Sequence, residues 1–597
     1  MCGLFGALSF TNQGIDQSLA QAMSEKVAHR GPDDQGEWFD GPVMLGHRRL
    51  SIIDLSAAGH QPMHDINQGY SIVFNGTIYN YPELREQLIA QGYRFQSHSD
   101  TEVILNAYAC WGEQCCEKLN GMFAFAIWDR RRQQLFLTRD RLGIKPLYYA
   151  QTSKGFYFAS NPQALLATGL CDTSIDPVGL HHQLSLHAVI PAPRTLFKGI
   201  RKCKPAYQMN IGIDGDLTQT RYWTLSAKRL EAKLSTQDWN DAIHQALLDA
   251  IHQALMKAVK KRIQIADVPV GVLLSGGLDS SLLVALLAEA GVGKIKTFSI
   301  GFEDQPEEKG NEFEFSDPVA ERYDTDHHKF LIPNTEVLTR LPEAVQAMAE
   351  PMVGQDAVAF YLLSEQVSKT VKVVQSGQGA DEVFAGYFWY ERMRAASGVS
   401  LNRFASNYVD RDHSEFCETV AEQYRGDDHT SALIEKHLQT EHADTFMDAV
   451  LRFDTTTLIV DDPVKRVDNM TMAWGLEARV PFLDHELVEL AATCPPDLKL
   501  KHGGKGVLKE ISRGRIPDAV IDRPKGYFPM PALKYVRGEF YDFMADTLNS
   551  QSSLERGIFS RGYVEKLLKE PEKHFTRLNG SKLWHCALLE YWLQQQI

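Results

Sequence analysis

The first residues of the chain could form a nucleophile that carries its own base. The sequence opens with Met1, Cys2 and Gly3, and removal of Met1, which a small following residue favours, would leave Cys2 at the N-terminus. The α-amine of an N-terminal residue has a pKa of roughly 7.7–8. Because a good share of such an amine is uncharged near neutral pH, it can accept the thiol proton directly or through water. The pattern predicts a cysteine nucleophile that needs no histidine partner.

A second group of residues could hold phosphate groups. An apolar run at 268–274 is followed by the sequence SGGLDS at 275–280 and then by a predicted helix at 281–290. Glycines let the backbone approach phosphate oxygens closely, while N–H groups and serine hydroxyls donate hydrogen bonds to them. The Gly-Lys-Ser/Thr of a Walker A loop is missing. Asp279 in this loop could bind Mg²⁺, which bridges phosphate groups and neutralises their charge.

The cysteine is predicted to stand on stacked sheets. Residues 1 to about 165 contain short β-runs separated by Gly, Pro and Asn, with few helices between them. The predicted helices of this part are 16–29, 82–91 and 101–111. Such a mixture indicates an α+β fold of packed sheets and helices. The Gly- and Asp-rich stretch 211–216 is typical of connecting surface, so we expect domains at 1–210 and 211–597.

The phosphate loop is predicted to stand on a sheet of another kind. A long helical pattern at 237–263 precedes the strand before the loop, and further strands are predicted at 296–301 and 371–375. Strands that alternate with helices predict a parallel, doubly wound sheet. From about residue 400 the pattern is mostly helical. We therefore expect an α/β domain with a helical C-terminal part.

The composition is that of a globular protein and argues against several classes of partner. Of 597 residues, 44% are hydrophobic and 23% charged, and the net charge is −14, so no basic excess is available to neutralise a nucleic acid. The nine cysteines are an odd number without a CxxC pair, which suits a reducing compartment. The longest apolar run, 282–288, is too short to cross a bilayer, and no secretory leader is recognisable. We expect a cytoplasmic protein with no membrane or nucleic-acid partner.

Several short motifs in the first 200 residues resemble those of a known family. They are RGPD at 30–33, HRRLS at 47–51, FNGTIYN at 74–80, SDTE at 99–102, LNGMFAF at 119–125 and RDRLGIKPL at 139–147. In this order and spacing they resemble the glutaminase domain of the N-terminal-nucleophile amidotransferases, specifically the asparagine synthetase branch. The resemblance implies an N-terminal-nucleophile hydrolase sandwich with αββα layers. It also implies that the cysteine releases ammonia from glutamine.

The resemblance gives roles to residues around Cys2, and each role makes chemical sense. Arg49 would bind the α-carboxylate of glutamine bidentately, and Asp100 would pair with its α-ammonium. The Asn75 side chain and the Gly76 N–H would stabilise the oxyanion that forms as Cys2 attacks the side-chain amide. A surface ion pair is the alternative for Arg49.

One residue beside this group departs from the family pattern. Most asparagine synthetases carry glutamate after the Asn-Gly pair, but this chain has Thr77. The change removes one anionic contact to the substrate ammonium. We therefore expect weaker glutamine binding with unchanged chemistry.

The loop at 275–280 resembles the pyrophosphate loop of enzymes that cleave ATP between its α and β phosphates. A second family signature, SGQGADE, covers 376–382, and a third, DNMTMAWGLEARVPFLD, covers 468–484. By resemblance, ATP would be bound by Leu274, Ser275, Gly276, Gly277, Asp279, Ser280, Ile300, Ser376 and Gly377. Mg²⁺ would be held by Asp279 and Asp381. Lys505 would stabilise charge in the adenylation and amide-forming steps, with a solvated lysine as the alternative.

The most consequential departure from the family is Gln378. Asparagine synthetases carry glutamate at this position, and that acid is tied to forming and aminating the acyl-adenylate. The side-chain amide of Gln378 cannot act as a base. Either another group takes the proton, or the acceptor is not aspartate.

Finer motifs indicate a sub-branch of the family. They are VIPAPR at 189–194, EPMV at 350–353, AFYLLS at 359–364, VQSGQGADEVFAGY at 374–387, VDDPVKR at 460–466 and NGSKLW at 579–584. They resemble the bacterial N-acetylglutaminylglutamine amidotransferases, which amidate a dipeptide carboxylate to make an osmoprotectant. Thr77 and Gln378 fit that branch. The residues by themselves indicate only amidation of a carboxylate.

Three functions stay open at this point. The first is dipeptide amidation, and the second is an asparagine synthetase that tolerates Gln378. The third is a degenerate protein that only binds nucleotide, which the intact Asp279, Asp381 and Lys505 argue against. Both enzymes would take small-molecule substrates, namely glutamine, ATP and a carboxylate acceptor, and would need a buried tunnel for ammonia between the two sites. A homodimer is compatible with the sequence, which does not fix the oligomeric state.

Overall fold

The computed structural model describes residues 2–11, 14–67, 69–229, 241–304, 309–354, 356–523 and 536–597. The start of the helix predicted at 237–263 lies outside the described residues, and this helix is described from Asp241. The strands, in chain order, are β1 (Gly3–Ser9), β2 (Asp34–Asp40), β3 (Val43–Arg49), β4 (Met63–His64), β5 (Tyr70–Ile78), β6 (Gly121–Asp129), β7 (Gln134–Arg139), β8 (Tyr148–Gln151), β9 (Gly155–Ala159), β10 (Arg201–Lys202), β11 (Tyr207–Gly212), β12 (Leu217–Arg221), β13 (Val270–Leu273), β14 (Lys296–Phe302), β15 (Asp326–Ile332), β16 (Val373–Gln375) and β17 (Glu477–Arg479).

Two sheets pack face to face in the N-terminal part. One has the strand order β10-β8-β9-β1-β3-β2 and the other the order β12-β11-β7-β6-β5-β4, and their pairings are antiparallel. Side chains alternate along β1, so that Leu4 and Leu8 enter the core between the sheets. Phe5 and Ala7 point the other way and pack against an outer helix that contains Met23. The arrangement is the αββα sandwich that the resemblance implied.

The C-terminal part is built on a parallel sheet. Its strand order is β15-β14-β13-β16-β17, and its pairings are parallel. Helices cover both faces, because Leu273 and Phe298 lie in one hydrophobic core while Val272 lies in another. The loops after β13 and β16 leave the carboxyl ends of neighbouring strands, which is where ligands bind in open parallel sheets.

Helices make up much of the remaining described chain. In the N-terminal part they are Gln17–Val27, Tyr81–Ala90, Asp100–Trp111, Cys115–Lys118, Pro162–Leu166 and Pro177–Ser185. In the C-terminal part they are Asp241–Gln264, Leu278–Glu289, Phe313–Arg322, Asn334–Ala347, Asp356–Ser368, Ala380–Phe384, Phe388–Ala395, Ser400–Tyr408, His413–Thr419, His429–Leu438, Phe446–Phe453, Lys465–Met472, His485–Thr493, Pro496–Leu500, Gly506–Ser512, Asp518–Asp522, Glu539–Asn549, Gln551–Arg556, Arg561–Lys569 and Lys582–Gln596. Among the described residues, none of the helices is long and apolar enough to cross a membrane. The fold class predicted from the sequence, including the helical C-terminal part, is confirmed.

Two elements differ from what the sequence predicts. Residues 211–216, predicted as connecting surface, form the end of β11 and its turn into β12, so the second sheet continues to Arg221. Glycine and aspartate favour a hairpin turn as much as a linker, and composition does not separate the two. Strand β15 carries no clear strand signal, because it is an edge strand rich in charged residues and histidine.

Candidate active sites

Cys2 lies immediately before β1 and is buried. Its backbone N–H donates to Asn75 Oδ1 at 3.0 Å, and its carbonyl accepts from Arg30 Nε at 3.2 Å. Burial raises the pKa of its thiol, against the opposing effect of the positive amino terminus. A buried and protonated thiol becomes a nucleophile only when a base takes its proton.

Asn75 and Gly76 lie on β5, beside the cysteine. The Asn75 side chain is fully buried, and within the described chain its Nδ2 makes no hydrogen bond. A buried N–H without a partner is costly unless a ligand accepts from it. A side chain at Gly76 would collide with the carbonyl of Met122 on β6. Asn75 therefore offers a hydrogen-bond donor next to Cys2, as an oxyanion would require, and the close approach of β6 explains the glycine that follows it.

Arg49 ends β3 and is held by main-chain carbonyls. Its guanidinium donates to the carbonyl of Ser56 at 3.0 Å, to that of Ile53 at 3.3 Å and to that of Asp54. Arg49 is buried, and the described part of the chain gives it no acidic partner, so it is not the surface ion pair of the alternative. A guanidinium fixed in this way can bind a carboxylate.

Asp100 begins the helix Asp100–Trp111, which Ser99 caps. Its Oδ2 accepts from the backbone N–H of Ile78 at 3.0 Å. Burial raises its pKa to about 7, and the negative charge of Glu477 acts in the same direction. A buried carboxyl of this kind favours a cationic ligand, which would allow it to ionise.

Residues of the C-terminal part also reach the cysteine site. Thr77 Oγ1 donates to Glu477 Oε1 at 3.2 Å, although the two residues are 400 positions apart in the chain. Asp468 forms ion pairs with Arg30 at 2.9 Å and with Lys145 at 3.4 Å. No role was predicted from the sequence for four of these residues, although each lies in a segment that resembles the family. They are Arg30, Lys145, Asp468 and Glu477. Their pairing depends on the tertiary fold, which those segments do not reveal.

The loop after β13 has the geometry of a phosphate site. The hydroxyl oxygens of Ser275 and Ser280 are 3.1 Å apart, and Ser280 Oγ also accepts from the Ser275 N–H at 3.2 Å. Gly276 has a φ of +76°, a left-handed conformation that favours glycine, and a side chain there would press on Phe315. The helix Leu278–Glu289 starts within the motif, directly after Gly277, so its first N–H groups face the turn formed by Ser275 to Gly277.

Asp279 and Asp381 converge on one cationic group. Lys505 Nζ lies 2.5 Å from Asp279 Oδ2 and 2.8 Å from Asp381 Oδ1. Burial works against the charge of this lysine, but the two carboxylates outweigh it and raise its pKa. Because Lys505 is buried, it is not the solvated lysine of the alternative. Two carboxylates at one point are also ligands that Mg²⁺ takes beside phosphates, so the residues present fit this metal.

A large cavity joins these residues. Its volume is about 920 Å³, near the upper end of the range for small-molecule sites, which is roughly 300–1,000 Å³. The cavity is lined by every residue to which the resemblance gives a nucleotide or metal role, with the exception of Gly276. Gln378 and Lys505 also line it. The wall also contains residues for which no role was predicted from the sequence, among them His187, Asp356, Glu382, Asp462, Arg466 and Asn579.

Glu382 is a buried acid close to Gln378 in the chain. Tyr387 donates a hydrogen bond to its Oε1 at 2.7 Å. Burial raises the pKa of Glu382 to about 8, and the charges of Asp454 and Asp381 act in the same direction. A group with such a pKa can exchange a proton near neutral pH, which Gln378 cannot do.

The structure gathers the residues of the cysteine site in one place. Arg49 influences the Cys2 thiol electrostatically, and Glu477 influences both the thiol and Asp100. Asn75 bonds directly to Cys2, as described above. None of these five residues lines the large cavity, so two separate sites are present.

Known proteins match nearly the whole chain. Residues 1–223 match the family model described as a glutamine amidotransferase domain, and residues 250–594 match the model described as asparagine synthase. The glutamine-hydrolysing asparagine synthetase 1 of Bacillus subtilis (strain 168) is 32% identical over 633 residues, which cover 99% of this chain and 96% of that protein. The amidase chyE of Penicillium rubens is 26% identical over 660 residues, which cover 97% of this chain and 95% of that protein.

One solved structure is similar to part of the chain: the glutamine phosphoribosylpyrophosphate amidotransferase of B. subtilis with ADP and GMP. The two are 15% identical, and the match covers 55% of this chain and 91% of that protein with a TM-score of 0.30. This likeness is too slight to support an argument. The asparagine synthase model, by contrast, covers more than half of the chain, and the B. subtilis synthetase matches it from end to end. The chain therefore belongs to the glutamine-hydrolysing asparagine synthase family, whose members are ATP-dependent amidotransferases.

Proposed function

We propose that the protein takes ammonia from glutamine at Cys2 and uses ATP to amidate the carboxylate of N-acetylglutaminylglutamine. One observation carries the proposal: a single cavity of about 920 Å³ holds the loop 275–280, Lys505 with its two aspartates, and a further wall beyond them. That space leaves room beside a nucleotide for an acceptor larger than an amino acid. The resemblance of several segments to the dipeptide amidotransferases supports the same acceptor.

At the first site, glutamine is held by its charges and attacked at its side-chain amide. Arg49 binds the α-carboxylate, and Asp100 binds the α-ammonium. The thiolate of Cys2 adds to the amide carbon, and the oxyanion accepts hydrogen bonds from Asn75 Nδ2 and the Gly76 N–H. The α-amine takes the thiol proton and passes it to the leaving nitrogen, so that ammonia departs. Water then hydrolyses the thioester to release glutamate and restore the thiol.

At the second site, the acceptor carboxylate attacks the α-phosphorus of ATP, and pyrophosphate leaves. Lys505 stabilises the negative charge that develops in this step. Mg²⁺, held by Asp279 and Asp381, would neutralise the leaving pyrophosphate when bound. Ammonia then attacks the acyl carbon, and AMP leaves. The proton that the nitrogen loses passes to an acid–base group of the cavity such as Glu382.

The charged residues around Arg466, on the cavity wall beyond the phosphate loop, favour an acceptor with a single carboxylate. Arg466 lies 2.6 Å from Asp462 and 3.1 Å from Asp356. Because two carboxylates already engage this guanidinium, it is a poor partner for the second carboxylate of aspartate. N-acetylglutaminylglutamine has a blocked amine and one carboxylate, which is the group that reacts. Its remaining polar groups are neutral amides.

Asparagine synthesis is the second candidate. The name of the B. subtilis relative favours it. Gln378 stands against it, since the acid that asparagine synthetases carry at this position is absent. A protein that binds nucleotide without catalysis is the third candidate, and the intact cluster of Asp279, Asp381 and Lys505 argues against it.

Pyrophosphate release with different acceptors separates these functions. Purified protein with ATP, Mg²⁺ and glutamine should release pyrophosphate and AMP when N-acetylglutaminylglutamine is added. The reason is that this acceptor fits the part of the cavity that lies beyond the phosphate loop. Turnover with aspartate alone would contradict the dipeptide and support asparagine synthesis. Binding of ATP without pyrophosphate release from any carboxylate would support the third candidate.

We also propose the cytoplasm as the location of the protein. All nine cysteines are free thiols in the structure. Free thiols in this number suit a reducing compartment.

A further inference from the structure

His187 belongs to the N-terminal part of the chain but lines the cavity of the C-terminal part. It follows the helix Pro177–Ser185, and His187 and Ala188 both have left-handed backbones, with φ of +53° and +63°. Two adjacent non-glycine residues in this conformation are strained, and such strain persists where the surrounding structure enforces it, typically at functional sites. Here the flanking Leu186 and Val189 are anchored in a hydrophobic core of the C-terminal part.

The imidazole of His187 is oriented by a buried acid. Its Nδ1 lies 3.1 Å from Asp410 Oδ2, and His585 Nδ1 lies 3.6 Å from the same oxygen. The His187 side chain is 16% exposed, whereas those of Asp410 and His585 are 0% and 2% exposed. His187 lines the cavity, and since the acid occupies Nδ1, Nε2 is the ring nitrogen left to meet a ligand there. Over the described ranges of the chain, Nε2 makes no hydrogen bond.

His187 and Lys505 belong to different groups of side chains on the wall of the cavity. His187 pairs with Asp410, which does not line the cavity. Lys505 instead pairs with Asp279 and Asp381 of the phosphate site. We call the wall around Lys505 the reacting end of the cavity and the wall around His187 its distal end.

The distal wall is irregular in a way that often marks a binding site. Between the helices Phe446–Phe453 and Lys465–Met472, the chain forms the π-helical turns Asp454–Leu458 and Val460–Val464. Such turns are frequent at functional sites. Residues from both turns line the cavity.

The C-terminal segment completes the wall behind His187. Gly580 lies against His585, which shares Asp410 with His187, and a side chain at Gly580 would come within 2.9 Å of His585 Nε2. Gly580 and its neighbour Asn579 both line the cavity. Segments from three distant parts of the sequence thus meet at the distal end.

We propose that this distal wall is a subsite for the part of the acceptor beyond its reacting carboxylate, and that His187 Nε2 hydrogen-bonds a neutral amide group there. The inference rests on the proposed function, because it requires an acceptor that carries amide groups at a distance from the carboxylate. The ligand class is a peptide-like carboxylic acid with a blocked amine. We expect an acceptor as short as a single amino acid to leave His187 Nε2 without a partner.

A comparison of a long and a short acceptor tests the subsite. Acceptor-dependent exchange of pyrophosphate into ATP is measured with N-acetylglutaminylglutamine and with N-acetylglutamine, using the full-length wild type and His187→Ala. Loss of one hydrogen bond should lower kcat/KM for the dipeptide by about three- to tenfold, mainly through KM. The value for N-acetylglutamine should not change. Asp410→Asn, which removes the orienting acid, should have the same selective effect.

Two controls make the outcomes distinct. Both variants should keep the glutaminase activity of the wild type, which shows that they are folded. If His187→Ala loses this activity, the selectivity of Asp410→Asn between the two acceptors is the test of the subsite. His442→Ala changes a histidine outside the cavity, with a side chain 40% exposed, and should affect neither acceptor. Equal losses for both acceptors, or no loss for the dipeptide, would overturn the subsite and leave the proposed function standing. Absence of exchange with the dipeptide in the wild type would overturn the proposed function and the subsite together.

Discussion

At the scale of single residues, the pKa of Asp100 should make glutamine binding depend on pH. Burial raises this pKa to about 7, so the carboxyl is partly neutral in the free protein near neutral pH. A neutral carboxyl binds the α-ammonium of glutamine weakly, whereas a carboxylate binds it strongly. We therefore expect the dissociation constant for glutamine to fall as the pH rises from about 6 to about 8.

Calorimetric titration of glutamine into Cys2→Ala measures this binding without turnover. In that background, Asp100→Asn removes a charge-assisted hydrogen bond and should weaken binding by about 1.5–3 kcal/mol at the higher pH. It should also abolish the dependence on pH between these limits. A dissociation constant that stays the same across the range in Cys2→Ala would show that Asp100 does not meet the ammonium.

The residues of short local motifs were predictable from the sequence, and residues that depend on distant partners were not. Asn75 and Gly76 belong to one compact motif on β5. His187 meets its acid 223 positions away, and Thr77 meets Glu477 400 positions away. Burial and pairing of such groups are set when the two parts of the chain pack together. No local pattern of residues reports that packing.

At the scale of elements, the helix Lys465–Met472 connects the two sites. Arg466 lines the cavity at its distal end, and Asp468, on the same helix, pairs with Arg30 and Lys145 beside the cysteine site. The side chains of these three paired residues are 4% exposed or less. The helix therefore pairs with buried charges of the N-terminal part and links them to the parallel sheet of the C-terminal part.

Asp468→Asn should destabilise the fold strongly. It leaves two buried cations without their acid, which typically costs about 3–5 kcal/mol. Although burial opposes it, Arg30 and Lys145 hold the pKa of Asp468 below its usual value. The stabilisation is thus fully present above the unfolded-state pKa, roughly 3.9, and is lost as the pH falls through the folded-state pKa. Urea unfolding at neutral pH and at low pH measures both effects.

Glu314→Gln is the matched control for this measurement. Its partner Lys309 lies 3.2 Å away, and both side chains are more than half exposed. Exposed pairs contribute about 1 kcal/mol or less. An equally small loss of stability in Asp468→Asn would show that the two buried cations do not depend on this acid.

Elements that carry regular patterns were also predictable, while local irregularities were not. The helix predicted at 281–290 is found as Leu278–Glu289, and the strand before it ends at the phosphate loop as expected. The π-helical turns at the cavity wall gave no signal, because one extra residue per turn changes the apolar pattern of a helix very little.

At the scale of the whole molecule, buried ion pairs join the two parts. Lys202 of the N-terminal part lies 2.8 Å from Glu350 and 2.9 Å from Asp461, and Lys465 lies 3.3 Å from Glu350. All four side chains are 4% exposed or less. Separating the parts would leave these charges unpaired in a medium of low polarity, so the pairs fix the two sites relative to each other. The tunnel for ammonia between the sites stays a prediction.

The central claim is that one chain produces ammonia at Cys2 and consumes it in the cavity around Lys505. Amide formation by Cys2→Ala, measured once with glutamine and once with added ammonia, tests this claim directly. Synthesis from glutamine should fall by roughly a thousandfold or more, because the nucleophile is gone. Synthesis from ammonia should stay near the wild-type rate, because the cavity is unchanged. Survival of glutamine-dependent synthesis in this variant, or loss of ammonia-dependent synthesis along with it, would contradict the claim.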